Sequence, residues 1–252
     1  MNISTAAISG LLAAFSMFWT MPQQARAQTA SVCSPYVQAK AHGMVRVAQP
    51  TTVDIRLKRP SLCNPVADKT LQKQLEELAR NFISGLDPDM AHDAARPFLS
   101  GRLGCRVQTG PFLSLAYTTE EFMGGAHPTR SCLTFVFDMR NGKLLAPEDI
   151  LAQPDRALPV IANTAIRQLE KQRGNPLPES ERYRLAPEPE NYTHLLLAPN
   201  GLLVLFPISQ TGARFVGMQN ATVPYSAIRA WMRPDIVEQL QTPSSSERTK
   251  TE

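Results

Sequence analysis

The chain has 252 residues, 43% of them hydrophobic and 19% charged, a globular balance that excludes a disordered chain or a coiled coil. Its 21 prolines outnumber its 13 glycines. Proline lacks an N–H and is ill-suited to helix interiors, so short elements joined by stiff turns are expected and an all-helical bundle is not. The formal charge of +4, from 26 basic and 22 acidic side chains, is too small for a nucleic-acid-binding surface unless it is clustered.

The chain opens with an apolar run from Ala6 to Trp19, followed by Pro22 and Ala25-Arg26-Ala27. Small residues at Ala25 and Ala27 fit a cleavage site, so residues 1–27 read as a secretory signal peptide. No later apolar stretch is long enough for a membrane span. The mature protein is expected to be exported, periplasmic or secreted, with no span. Residues 28–50 open a basic N-terminal segment: Lys40, Arg46, Arg56, Lys58 and Arg59 face a single acid, Asp54, before Cys63.

In an oxidising compartment the even set Cys33, Cys63, Cys105 and Cys132 favours disulfides over metal ligands or catalytic thiols. Four cysteines allow three pairings. Cys33 with Cys63 and Cys105 with Cys132 are expected, because each closes a shorter loop.

Thr51 to Lys58 alternates Val53, Ile55 and Leu57 with Asp54, Arg56 and Lys58, a half-buried strand with a basic outer face. If that face is a site, its natural partner is an anionic envelope polymer. Asn64-Pro65 caps a helix whose inward stripe runs through Leu71, Leu75, Leu78, Ala79, Phe82 and Ile83 to Gly85. Asp87-Pro88 opens a shorter helix that breaks near Pro97. From Gly101 the period changes to two: Leu103, Cys105 and Val107 form one strand, Leu113, Leu115 and Tyr117 a second, and Ser131–Met139 a third, which turns at Asn141-Gly142. A helix follows from about Asp155 to Gly174. Strands at 193–198, 202–208 and 221–224 and a short helix at 225–232 complete the pattern. Helices interrupting antiparallel blocks predict a single α+β domain, an antiparallel sheet of hairpins packed with two or three helices.

These signals, in this order, resemble a known family. The residues that carry the likeness are Phe112-Leu113-Ser114-Leu115 through Tyr117 to Gly124-Gly125-Ala126-His127, and Phe135 to Met139 with Asn141-Gly142-Lys143-Leu144-Leu145 and Pro147-Glu148-Asp149-Ile150-Leu151. A second block runs from His194 to Phe206 and closes at Val223-Pro224-Tyr225-Ser226. The chain is similar over about residues 50–233 to the extracytoplasmic domain of unknown function in the lysozyme-sensing anti-sigma factor RsiV and beside the catalytic domain of some peptidoglycan deacetylases. The RsiV-like α+β domain is therefore expected at 51–234 and a disordered tail at 235–252. Neither a sigma-binding segment nor a deacetylase domain is recognisable here, so neither activity is carried over.

Gly124, Gly125, His127 and Tyr117 are the candidate ligand-binding residues. Glycines can bring backbone close to a ligand, and Glu120 and Glu121 lie upstream as acid/base partners. A tight turn held by His127 explains the same residues without a ligand. Asp87, Asp89, His92 and Asp93 depart from the calcium-loop spacing at Ala91 and suit a helix N-terminus better. No metal or cofactor is expected. Without a Gly-x-Ser-x-Gly, Ser-x-x-Lys or His-Glu-x-x-His motif, no catalytic residue is assigned. The expected function is a non-enzymatic binding module of the bacterial cell envelope, its partner a cell-wall glycan or a wall-attacking protein such as lysozyme. The competing reading is a peptidoglycan-directed hydrolase using His127 with Glu120 or Glu121.

Overall fold

The computed structural model describes residues 41–45, 47, 53–87, 96–124, 126–208, 210–211 and 217–241. The expected signal peptide, most of the Asp87–Pro97 helix with its acidic cluster, Cys33, Gly125 and residues 242–252 lie outside them. Within them the fold is α+β, built on a six-stranded and a three-stranded sheet.

The large sheet runs in the order β1 (Ala41–Met44), β2 (Asp54–Pro60), β3 (Phe98–Thr109), β4 (Phe112–Phe122), β5 (Thr129–Asp138), β6 (Lys143–Leu145). β3 to β6 form the expected meander. Two features differ from expectation. β2 and β3 pair parallel, because α1 (Pro65–Ser84) carries the chain back before β3 begins. The domain also starts before residue 51, since β1 pairs with β2 and Val45 is buried. Asn64 caps α1 by accepting from the N–H groups of Val66 and Ala67, and its amide donates to Met139 O at 3.0 Å, pinning the helix to the end of β5.

Alternation gives the large sheet two faces. Leu57, Leu99, Leu113, Leu115, Tyr117, Phe135 and Phe137 pack beneath Leu71, Leu75 and Phe82 of α1. Phe112, Ala116, Cys132 and Val136 belong to a second core with α3 (Pro154–Arg173) and the small sheet of β7 (Leu195–Ala198), β8 (Gly201–Phe206) and β9 (Gln219–Val223). α3 ends as expected at Gly174, whose φ of 73° is left-handed and suits glycine.

The small sheet meets the large one through its edge strand β7. Ser114, fully buried, accepts from Leu197 N–H at 2.9 Å and donates to Leu197 O at 3.0 Å, while Thr109 donates to the same carbonyl at 3.2 Å. Side chains thus satisfy one free edge of the small sheet. Gln168 of α3 satisfies the other, accepting from Thr222 N–H at 2.9 Å and donating to Thr222 O at 2.6 Å. Both edges would otherwise be open to further strands.

Short helices α2 (Pro147–Ile150), α4 (Glu179–Tyr183) and α5 (Tyr225–Ile228) connect these parts. The chain then continues into α6 (Pro234–Gln241), where Ile236 is buried and Val237 and Leu240 pack on the second core. Residues 235–241 are therefore part of the domain, correcting the tail expected from 235. The Pro that opens this helix and its apolar triplet at spacings of one and three were the available signal.

The expected disulfides are also corrected: Cys63 and Cys132 are both free thiols. Cys105 on β3 and Cys132 on β5 flank β4, opposite Ala116 and Thr118 respectively. Two strand spacings of about 4.8 Å separate them, beyond the roughly 7 Å limit for Cα atoms joined by a disulfide. Among the described residues no helix is long and apolar enough to cross a membrane.

Candidate functional site

β7 covers only part of the large-sheet face on which it rests. Along β4, the residues under it are Phe112, Ser114 and Ala116, all buried; beyond it Thr118 and Glu120 are half-buried and polar. The uncovered part is a shallow groove of about 440 Å³. Its floor is a register row across four strands, Arg56 to Ser100 to Glu120 to Arg130. Lys58, Arg102 and Thr118 line the groove on the side toward β7.

A bulge at Gly104 makes this row possible. Unbroken alternation puts Leu103 and Cys105 on one face, but the pairing shifts between Leu103, opposite Tyr117, and Cys105, opposite Ala116. Leu103 therefore packs toward α1 while Cys105 faces the small sheet. Arg102, one residue earlier, thereby joins Cys105 on the face that carries Arg56 and Lys58.

The groove's charges are partly paired. Arg56 meets Asp54 at 2.7 Å and Arg130 meets Glu120 at 3.0 Å. Lys58 and Arg102 make no ion pair among the described residues. Leu57 pairs with Gly101, so these two cations follow side by side in the parallel register. At the opposite end Phe98 and Phe122 stack, ring centroids 6.0 Å apart, where the β4–β5 turn begins.

That turn contains Gly124 and the exposed His127, while Gly125 lies outside the described residues. Tyr117 is separated from it. Its ring is buried in the core under α1 and passes below Gly101, where an added Cβ would stand 2.6 Å from the ring. Burial raises its pKa, and the hydroxyl, beside the Lys58 backbone, makes no hydrogen bond of normal geometry among the described residues. Glu120 and Glu121 point to opposite faces of β4, and Glu120 is engaged by Arg130. Among the described residues no group of three His, Cys, Asp or Glu side chains is placed to hold a metal ion.

Another hollow, about 250 Å³, lies between Leu151, Leu158 and Tyr192, with Glu148 and Glu190 in its lining and no cation. The basic groove is the better candidate for an anion. Sequence reading found Arg56 and Lys58 through their alternation, but missed Arg102 and Arg130. Arg130 is the lone basic residue of β5 and Arg102 shares β3 only with Arg106, so neither belongs to a local basic cluster until the strand register brings it to the groove.

Comparison with known proteins gives a match to the family described as Protein of unknown function (DUF3298) over residues 148–226, the stretch from α2 to the start of α5. A crystal structure of a DUF3298 family protein from Pseudomonas aeruginosa PAO1 is similar with a TM-score of 0.54 at 14% identity, covering 77% of this chain and 92% of that one. A member of the family from Bacteroides fragilis NCTC 9343 gives a TM-score of 0.47 at 14% identity, covering 71% of this chain and 74% of its own. The first likeness shows a shared fold. No curated protein matches the sequence.

Proposed function

We propose that this chain, with its DUF3298 match, is an exported, non-enzymatic binding module of the bacterial cell envelope, and that it holds an anionic wall component on the groove between Arg56 and Arg130. The observation that carries the reading is the clustering of Arg56, Lys58, Arg102 and Arg130 against the two carboxylates Asp54 and Glu120, on a sheet face that the described residues leave uncovered. A wall glycan bearing carboxylate or phosphate groups complements this surface. A strongly basic lysozyme does not, since like charge opposes both approach and contact. The turn carrying Gly124 and His127 borders the groove and supplies further contacts.

Sedimentation of the mature chain with purified sacculi, and calorimetry with soluble muropeptides, test the reading. Saturable binding is expected, weakening as salt rises, lost on Arg102→Glu with Arg130→Glu, and reduced by His127→Ala. Binding that ignores both salt and the charge reversals overturns it. Release of soluble fragments from sacculi, abolished by His127→Ala, would replace it with a hydrolase.

A further inference from the structure

We propose that Cys105 is joined to Cys33 in a disulfide, and that this bond holds residues 32–37 of the chain over the hollow where the small sheet stands on the large one. The proposal does not depend on the basic groove binding a ligand.

Cys105 is disulfide-bonded, Cys63 and Cys132 are free thiols, and the chain's fourth cysteine is Cys33, which lies outside the described residues. Topology brings the pair within reach. β1 runs antiparallel to β2 and starts with Ala41 opposite Pro60. β2 lies parallel to β3 with Leu57 opposite Gly101, and the same register carried on to Pro60 sets it level with Gly104, the neighbour of Cys105. Ala41 and Cys105 are therefore at the same end of the sheet, two strand spacings or about 10 Å apart. The chain from Cys33 to Ala41 can span up to about 27 Å. That is enough to turn back over the sheet and bring the two Cα atoms within the roughly 7 Å that a disulfide allows.

The bond also fixes where the segment lies. Cys105 faces the small sheet and stands in the wall of a hollow of about 150 Å³. Leu196, Leu203, Leu205 and Met218 supply the apolar part of its lining, and Gln219 and Asn220 a polar part. The Cβ atoms of a disulfide are about 4 Å apart, so Cys33 lies against that wall. Val32, Pro35, Tyr36 and Val37 flank it in the chain, and covering the hollow with them removes apolar surface from water on both sides. The bond forms by exchange with a disulfide oxidant. The Cys33 thiolate attacks one oxidant sulfur and releases the other as a thiol, and the Cys105 thiolate then attacks the Cys33 sulfur and displaces the first. Cys33 and Cys105 are oxidised, the oxidant's two sulfurs are reduced, and the two protons leave with them.

Peptide mapping without reductant tests the bond. The mature chain is oxidised with glutathione disulfide, denatured in the presence of an alkylating reagent and cut with trypsin. The peptide that ends at Lys40 should be joined to Leu103–Arg106 within a monomer, with Cys63 and Cys132 alkylated. Cys63 follows Pro60 closely and is the rival partner, so a Cys33–Cys63 link overturns the pairing. A link between two copies, or four alkylated cysteines, overturns it as well. Dilute hydrogen peroxide tests the cover, because a shielded methionine is oxidised slowly; Met218 should become sulfoxide about threefold faster in Cys33→Ser than in the parent. Cys105 of that variant should be alkylated in the native state. If circular dichroism shows Cys33→Ser unfolded, reduction of the folded parent with a phosphine gives the same comparison. Met218 oxidised at the parent rate, with the Cys33–Cys105 link found in the parent, overturns the cover and upholds the bond.

Discussion

Replacing Ser114 by Ala should destabilise the protein by about 2 kcal/mol through the loss of one hydroxyl. That hydroxyl accepts from the Leu197 N–H and donates to the Leu197 carbonyl, at 2.9 and 3.0 Å, in a region where Ser114 and Leu197 are both fully buried. In the variant the carbonyl keeps Thr109 at 3.2 Å, but the N–H loses the partner it has among the described residues. An orphaned buried donor costs about 1–3 kcal/mol. With a urea m-value of about 2–3 kcal/mol/M, the upper part of the usual range, the unfolding midpoint should fall by just under 1 M at unchanged slope. Thr109→Val removes only one of two donors to the carbonyl and should cost less, about 1 kcal/mol. The double variant orphans both groups, so its cost should exceed the sum of the single costs. A Ser114→Ala midpoint within about 0.2 M of the parent, or a strictly additive double variant, would refute the idea that this serine joins the two sheets.

Three further outcomes can be measured on the same protein. Arg102→Thr removes one of two adjacent cations that make no ion pair among the described residues, at a strand position that suits threonine, so it should raise stability by about 0.5 kcal/mol in low salt. It should also weaken groove binding; melts in which the variant is less stable would contradict the charge argument. Native alkylation followed by mass spectrometry should label the exposed Cys63 quickly and spare Cys132, whose thiol burial pushes up to about 12 so that little thiolate is present. Rapid native labelling of Cys132 would contradict its placement. Burial lowers the pKa of His194 below its ordinary 6.5, so the unfolded chain takes up that proton first as pH falls. Its contribution to stability is complete above about 6.5 and is lost as pH drops through that region toward the folded value. Asp138, held down by Arg140, acts only near and below 3.8. Unfolding midpoints between pH 8 and 5 should therefore decline less for His194→Gln than for the parent, and identical slopes would refute the assignment.

What could be read from the sequence was local. Asn64-Pro65 capped α1, Gly174 ended α3, Asn141-Gly142 turned β5 into β6, and the alternation of Val53, Ile55 and Leu57 put Arg56 and Lys58 on an outer face. Each of these signals lies within one turn or one strand. The parallel pairing of β2 with β3 and the contact of Ser114 with Leu197 join residues 40 to 90 positions apart in the chain, and no local pattern encodes them. The cysteine pairing failed for the same reason, since loop length says nothing about which strand lies between two residues. α6 was missed because its apolar residues are too few to stand out from the polar tail that follows.

The groove shows where local and distant information meet. Leu103, Cys105 and Val107 read as one face, and on that reading Arg102 belongs to the opposite one. Gly104 is the single residue that breaks the pattern, and a glycine inside a strand is a recognised sign of a bulge. Had the break been placed there, Arg102 would have fallen on the face of Cys105 from sequence alone, leaving only the β2–β3 pairing to bring it beside Arg56 and Lys58. The second clue lies along β4, where one face changes from Phe112, Ser114 and Ala116 to Thr118 and Glu120. The change marks the point where β7 stops covering the sheet. Apolar residues are retained where another layer excludes water, and polar ones begin where it does not. The candidate site is thus set by how far the small sheet reaches across the large one. The residues of the Gly124–His127 motif, conspicuous in the sequence, form the turn at its border.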